Sequence, residues 1–185
     1  MMATKKKMLQ AAAGNAGGGA GGLNVEDVFS TYLWEGNSTL SRSIVNGIDV
    51  SGEGGLVWIK DRTIGDSHSL FTTDRGANKT LLTNESDAED TVSTSVFESF
   101  NSDGFTVGNH GRTNENNRDY VSWTFRKAPK FFDVVTYTGN GVAGRTISHD
   151  LGTTVGMLVV KSTSHATDWK GSTQKRRRNY RYGIK

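Results

Sequence analysis

The sequence contains no cysteine, a single proline and no long apolar run. Without cysteine, neither disulfide bonds nor cysteine-ligated zinc can stabilise the fold. The longest apolar runs, such as LVWI and MLVV, are far too short for a membrane-spanning helix, and the basic N-terminus lacks the apolar segment of a signal peptide. We therefore expect a soluble chain without an export signal, and its 185 residues are enough to bury a core in one or two domains.

Charge is divided along the chain, so the formal net charge of +3 hides an acidic body. Ten of the 22 basic residues lie near the termini, three at Lys5 to Lys7 and seven between Lys170 and Lys185. The twelve basic residues of the body face all 19 acidic residues, which gives the body a net charge of 12 − 19 = −7. The sequence predicts an acidic globular body with a basic arm at each end.

Short segments rich in β-branched and aromatic residues recur from Val25 onward, between polar turn clusters such as EGNS, NSDG and TGNG. Helical periodicity is nearly absent. This pattern predicts an all-β fold, an antiparallel β-sandwich of jelly-roll or concanavalin-like type. In the segment YVSWTFRK, alternation predicts that Val121, Trp123 and Phe125 face the core, and we expect Trp58 to be buried with them.

One stretch of the sequence occurs twice. VFSTYLWEGNSTLSRSIVN aligns with FFDVVTYTGNGVAGRTISH at an offset of 103 residues, and GGLVWIK aligns with VGMLVVK at an offset of 101. Gly36 falls on Gly139 and Arg42 on Arg145, outside the hydrophobic pattern. We interpret the match as a duplicated structural unit whose strands superpose.

These observations divide the chain into four parts. Residues 1–22 form a glycine-rich flexible arm, and residues 23–128 form the first β-sandwich unit. Residues 129–170 form a partial second unit, and residues 171–185 form a basic C-terminal tail.

The segments LVWIKDR, FNSDGFTVG and YVSWTFRKAPKFFDVVTYTGNGVAGRTISHDLG resemble a lectin-like jelly-roll repeat domain of tail-fibre and other virion structural proteins of tailed, especially marine, bacteriophages. The similarity spans about Val25 to Trp169 and implies a virion protein with a lectin-like jelly-roll fold; no catalytic residues come with the resemblance. After Lys170 the sequence departs from the family, because GSTQKRRRNYRYGIK stands where a second closing hairpin is expected. Either this is a replaced or frameshifted end, or neighbouring subunits supply the missing strands.

Residue types used in catalysis are present without the spacing that catalysis needs. The carboxylates available to a glycosidase are Glu53, Asp61, Glu98 and Asp103. The Ser-His pairs lack a nucleophile elbow, and the four histidines show no metal-ligand spacing. The loops DRTIGDS and NESDAED offer oxygens for calcium only by residue type. We predict no enzymatic activity, no catalytic residue, no metal and no cofactor.

The polar loop GNHGRTNENNRD is the best candidate for ligand binding in the body. Planar amide and guanidinium groups bind sugar hydroxyls, and loops carry binding residues more often than strands do. As for other surface loops, we expect replacement of Asn116 or Arg118 to change the free energy of unfolding by no more than about 0.5 kcal/mol. The candidate residues are Asn109, Asn114, Asn116, Asn117 and Arg118.

The C-terminal run QKRRRNYRYGIK combines basic and tyrosine side chains. It suits either an acidic groove on a neighbouring subunit, which we favour, or the phosphates of packaged DNA. The candidate assembly contacts are Lys175, Arg176, Arg177, Arg178, Tyr180, Arg181 and Tyr182.

These features together favour a non-enzymatic phage virion structural protein: a tail fibre, a tail adaptor or a capsid-associated component. It would contact other virion proteins, form a homo-oligomer within the particle, and be assembled in the host cytoplasm without a membrane partner. The alternative is a receptor-binding module for host-surface glycans, and a polysaccharide-degrading enzyme is the least favoured interpretation.

Overall fold

The structure, a computed structural model, describes residues 22–174. The predicted N-terminal arm up to residue 21 and the tail from Lys175 onward lie outside the described residues. Within the described range no helix is long and apolar enough to span a membrane. The elements are a 3₁₀-helix, Val25–Asp27, and the strands β1 (Phe29–Glu35), β2 (Arg42–Val45), β3 (Gly55–Asp61), β4 (Ser69–Thr72), β5 (Lys79–Leu82), β6 (Asp90–Thr91), β7 (Phe97–Asn101), β8 (Gly104–Val107), β9 (Asp119–Arg126), β10 (Met157–Val160) and β11 (Lys170–Thr173).

The strands form two main sheets in which every pair is antiparallel. One sheet has six strands in the order β1-β9-β3-β4-β5-β6, and the other has three in the order β2-β8-β7. β10 and β11 form a separate two-stranded sheet. The predicted all-β antiparallel sandwich is therefore confirmed as an architecture.

The core lies between the two main sheets and combines aliphatic side chains with a group of packed aromatic rings. Phe71 of β4 stacks on Phe97 of β7 with ring centroids 4.3 Å apart, and Phe97 stacks on Phe105 of β8 at 5.8 Å. Trp34 of β1 stacks on Tyr120 of β9 at 5.5 Å. Because these rings come from five different strands, their packing fixes the two sheets against each other.

The face of β9 that packs against the core is not the more hydrophobic one that the sequence predicts. Tyr120, Ser122 and Thr124 are fully buried against the second sheet, whereas Trp123 is only partly buried, on the outer face, 5.1 Å from the ring of Trp58. The prediction that Trp123 and Phe125 point into the core was wrong, whereas Val121 of the same predicted set is buried, at 6% exposure. Phe125 and Trp58 are likewise only partly buried.

Polar side chains on the inner face of β9 bond to the second sheet and to the loop before β9. Asn46, which follows β2, donates its side-chain amide to the Thr124 hydroxyl at 2.8 Å in the buried interior. The Tyr120 hydroxyl accepts from the Glu115 backbone amide at 2.9 Å and donates to the Gly111 carbonyl at 2.7 Å. Small or hydrogen-bonding side chains thus suit this inner face, and burial raises the pKa of Tyr120 to about 12 because it disfavours the phenolate.

After β9 the chain continues along the outside of the first unit. Phe132 packs on Phe125 with ring centroids 5.3 Å apart, and the Lys130 amide donates to the Leu151 carbonyl at 2.7 Å. Further along, the Trp169 indole donates to the carbonyls of Leu82 and Glu85 at 3.2 and 3.1 Å, beside β5. The second unit is therefore attached to the first at both ends.

Truncation of one core ring and one outer ring tests this assignment of faces. We expect Phe97→Ala to lower the free energy of unfolding by about 3–5 kcal/mol, because the ring is lost from the centre of the stack. Trp123→Ala should cost about 1–2 kcal/mol, because only part of this side chain leaves water on folding. Urea denaturation measures both, and a larger loss for Trp123→Ala would contradict the assignment.

Candidate partner-binding site

The second unit repeats one strand pair of the first, β3–β4. All four register pairs between β3 and β4 recur between β10 and β11 with a shift of 101 residues, so that Leu56↔Thr72 becomes Met157↔Thr173. The backbone bond that closes the first pair, at 3.0 Å, also recurs in the second, at 2.9 Å. β11 is the counterpart of β4. The second unit therefore extends to Thr173, inside the segment 171–185 that the sequence assigned to the tail.

The loop before these strands is also repeated, with a shift of 103 residues. Arg42 donates to the carbonyl of Glu35, and Arg145 donates to the carbonyl of Thr138. The Asn37 side-chain oxygen accepts the Thr39 amide, and the Asn140 oxygen accepts the Val142 amide in the same way.

A lysine contact recurs with the shift of 101 residues. Lys60 Nζ donates to the carbonyls of Asp61 and Ile64, and Lys161 Nζ donates to those of Ser162 and His165.

The turn geometry agrees with these contacts. Ser38 and Ser41 have positive φ angles of 53° and 52°, which is unusual for residues with a side chain. Their counterparts are Gly141 and Gly144, with φ angles of 72° and 76°. Glycine adopts this region without steric cost, so the second copy has the same turn with a residue better suited to it.

The second unit has counterparts of β1 to β4 in sequence, but not of the strands that pair with β1 and β2. In the first unit β1 pairs only with β9, and β2 pairs only with β8. Residues 129–174 contain no counterpart of β8 or β9, and residues 133–156 form no strand. A β-strand with no partner gains no ladder hydrogen bonds, which explains why the copies of β1 and β2 are irregular.

The absence of these strands exposes the apolar positions of the second unit. Trp34 is 7% exposed, whereas its counterpart Tyr137 is 51% exposed. Val57 is fully buried, whereas its counterpart Leu158 is 52% exposed. Side chains that form a core in one copy form a surface in the other, and such a surface is typical of a protein-protein contact.

Two of the five candidate residues in the ligand loop serve the fold instead, and the first of them is Asn114. Asn114 is fully buried, and its side-chain oxygen accepts from the Asn37 amide at 3.1 Å and from Arg42 Nη1 at 2.8 Å. Its amide group donates to the Thr39 carbonyl at 3.0 Å. Asn114 therefore joins the loop before β9 to the turn after β1.

Arg118 also has a structural partner. Its guanidinium lies 3.3 Å from the carboxylate of Asp61, which is fully buried. The Asp61 carboxylate also accepts the amides of Thr63 and Ile64 at 2.7 and 3.2 Å. Removing Arg118 would leave a buried carboxylate without its ion pair, so the expectation of a neutral replacement does not apply to this residue.

The other candidate residues of the loop are on the surface. Asn109, Asn116 and Asn117 are exposed, and Asn117 has a positive φ of 61°. The Asn116 backbone amide donates to the Ser38 hydroxyl at 2.8 Å, which holds this part of the loop in place. Three of the five predicted side chains thus remain available to a ligand.

Three of the candidate carboxylates occupy turns or strand ends of the described chain. Asp61 is buried and bonded as described, Glu53 faces Arg126 at 3.9 Å, and Asp103 lies in the turn between β7 and β8. Among residues 22–174, no group of three or more His, Asp or Glu side chains is placed to hold a metal ion. The seven predicted assembly contacts from Lys175 to Tyr182 lie outside the described residues.

The chain matches a known protein family. Residues 24–181 match the family described as a domain of unknown function, DUF7483. The chain belongs to this family. The match covers the complete first unit of the DUF7483 domain and the whole second unit. No curated protein and no solved structure matches the chain.

Replacement of two asparagines separates structure from surface in the DUF7483 loop. Asn114→Ala should lower the free energy of unfolding by about 2–3 kcal/mol, because it removes three hydrogen bonds and leaves buried groups unpaired. Asn116→Ala, the matched control, should change it by less than about 0.5 kcal/mol. Thermal and urea unfolding measure both variants, and similar effects at the two positions would contradict the assigned roles.

Proposed function

We propose that this DUF7483 domain is a non-enzymatic structural protein of a phage virion that acts through assembly contacts, as a tail fibre, a tail adaptor or a capsid-associated component. The observation that supports this most is the half-built second unit, which exposes strand edges and apolar side chains next to a complete unit. Proteins usually protect such edges, because they pair readily with other chains. The sequence resemblance described above supports the virion setting.

The distribution of charge supports two kinds of contact. Residues 23–128 carry nine basic and 16 acidic residues, so the whole acidic excess of the body lies in the first unit. Residues 129–173 carry four basic and three acidic residues and are nearly neutral. The acidic first unit suits the basic tail of a neighbouring copy, which favours a homo-oligomer in the particle, whereas the second unit suits backbone pairing and apolar contact.

Purified particles test the proposal. We expect mass spectrometry to detect the chain in virions, and deletion of Lys175 to Lys185 to lower its copy number per particle, because the deletion removes the basic docking segment. Circular dichroism should show that the truncated chain keeps its β structure. Absence of the full chain from particles would reject the virion role, and normal incorporation of the truncated chain would reject docking by the tail.

Binding of host-surface glycans is the second candidate function. It is supported by the exposed amides of Asn109, Asn116 and Asn117 on a loop anchored to the turn after β1 and to β9. It is less favoured because Asn114 and Arg118 are engaged within the protein. Specific binding of the full chain to a glycan array, lost in an Asn116→Ala, Asn117→Gly double variant, would favour this function over a purely structural one.

A further inference from the structure

The first unit shows what a complete copy contains at the open edge of the second. β9 lies between β1 and β3 and pairs with seven residues of each. Backbone bonds close both ends of this arrangement: the Gly36 amide donates to the Arg118 carbonyl at 2.7 Å, and the Lys127 amide donates to the Gly54 carbonyl at 2.8 Å. Residues 22–174 contain the two flanking segments of the second unit, residues 132–138 and β10, but no β9-type strand that pairs with them.

Two glycines mark the places where β9 and the loop before it approach the backbone of the first unit, and both places are open in the second. A Cβ on Gly36 would lie 1.9 Å from the Glu115 carbonyl oxygen, and a Cβ on Gly55 would lie 2.2 Å from the Phe125 carbonyl oxygen. Both positions require glycine because the backbone of β9, or of the loop before it, lies too close for a side chain. Their counterparts, Gly139 and Gly156, have nothing within 4 Å. The second unit thus has the clearance for a β9-type segment at both places where the first unit uses it.

The arginine of the repeated loop gives a third indication. In the first unit Arg42 donates both to the Glu35 carbonyl and to the side-chain oxygen of Asn114. Arg145 keeps the first of these contacts, with the Thr138 carbonyl, and lies over the ring of Tyr137 at 5.6 Å. The second acceptor would come from the residues just before a β9-type strand.

The edge of β10 that would receive the strand follows from the first unit. The Gly55 carbonyl accepts the Thr73 amide on the β4 side, whereas the Gly54 carbonyl accepts the Lys127 amide on the β9 side. Along β3, the backbone groups of successive residues therefore point alternately to β4 and to β9. With the shift of 101 residues, Leu158 and Val160 face β11. Met157 and Val159 therefore present their backbone groups to the open edge.

The chemistry of the incoming segment follows from the same comparison. It should alternate inward groups like those of Tyr120, Ser122 and Thr124, which are fully buried in the first unit. It does not need the charge of Arg118, because the counterpart of Asp61 is Ser162. Recognition would therefore depend on backbone pairing and apolar contact, in agreement with the nearly neutral second unit.

We propose that the second unit is a receptor for one extended strand of β9 type, supplied by another polypeptide together with the residues that precede the strand. The strand inserts between residues 132–138 and β10, antiparallel to both, and converts the half-unit into a copy of the first. This proposal rests on the proposed assembly function and names the partner segment that the second unit would take.

A peptide with the sequence of residues 112–127, RTNENNRDYVSWTFRK, is the probe. We expect the fluorescein-labelled peptide to bind the full chain saturably, with one peptide per chain, in fluorescence anisotropy. The same peptide with Ser122→Pro should not bind, because proline in the middle of a strand removes a ladder hydrogen bond. Hydrogen exchange should show new protection of the Met157 and Val159 amides when the peptide is bound.

Variants of the chain locate the binding edge. Val159→Pro removes an amide that faces the open edge but not one that faces β11, and it should weaken binding at least about tenfold, which corresponds to one lost hydrogen bond. Val159→Thr keeps the amide and should bind within about twofold of the native chain. If Val159→Pro disturbs the second unit, the exchange pattern of the native chain still decides the question.

Three results would overturn the proposal: binding no stronger than that of the proline-containing peptide, protection at the edge of β1 instead of β10, or a chain that dimerises alone with Met157 and Val159 already protected. The last result would assign the edge to a second copy. Detection of the chain in virions is a separate measurement, so peptide binding without incorporation would reject the virion role and leave the strand receptor standing.

Discussion

The structure depends on the pairing of β9 along both of its edges. This strand joins β1 to β3 and turns Tyr120, Ser122 and Thr124 into the core, and the loop before it is held by Asn114 and by the Arg118–Asp61 ion pair. The first unit, which contains β9, is a closed sandwich. The second unit, which lacks a counterpart among the described residues, keeps its turns and one strand pair but leaves its apolar positions exposed.

Local features of the second unit thus form without the central strand. The arginine contact, the asparagine turn and the β10–β11 pair involve residues close in sequence, so each forms within its own segment. The pairing of the β1 and β2 counterparts is different, because it requires a distant strand whose loop-closure entropy must be offset by ladder bonds and burial. Contacts that form locally are therefore present in both copies, whereas pairing that needs a distant strand is present only in the first.

The sequence predicted much of this arrangement and failed where tertiary contacts decide. The regular turn clusters predicted the antiparallel sandwich, and Gly36, Gly139, Arg42 and Arg145 predicted the repeat, because residues outside the hydrophobic pattern coincide only when local geometry is shared. The burial of Trp123 was predicted wrongly, because alternation identifies two faces of a strand but not which one meets the opposite sheet. The role of Asn114 was missed, since a buried asparagine in a polar loop looks like an exposed one in sequence.

Amide exchange of the isolated chain, resolved by residue, tests most directly the claim that the second unit is a copy of the first without β9. Trp58 and its counterpart Val159 occupy the same position in the repeat. The backbone amide of each points to the edge that β9 occupies in the first unit. The Trp58 amide, paired with β9, should exchange only on global unfolding, whereas the Val159 amide should exchange orders of magnitude faster. Equal protection of the two amides in a monomeric chain would contradict the account.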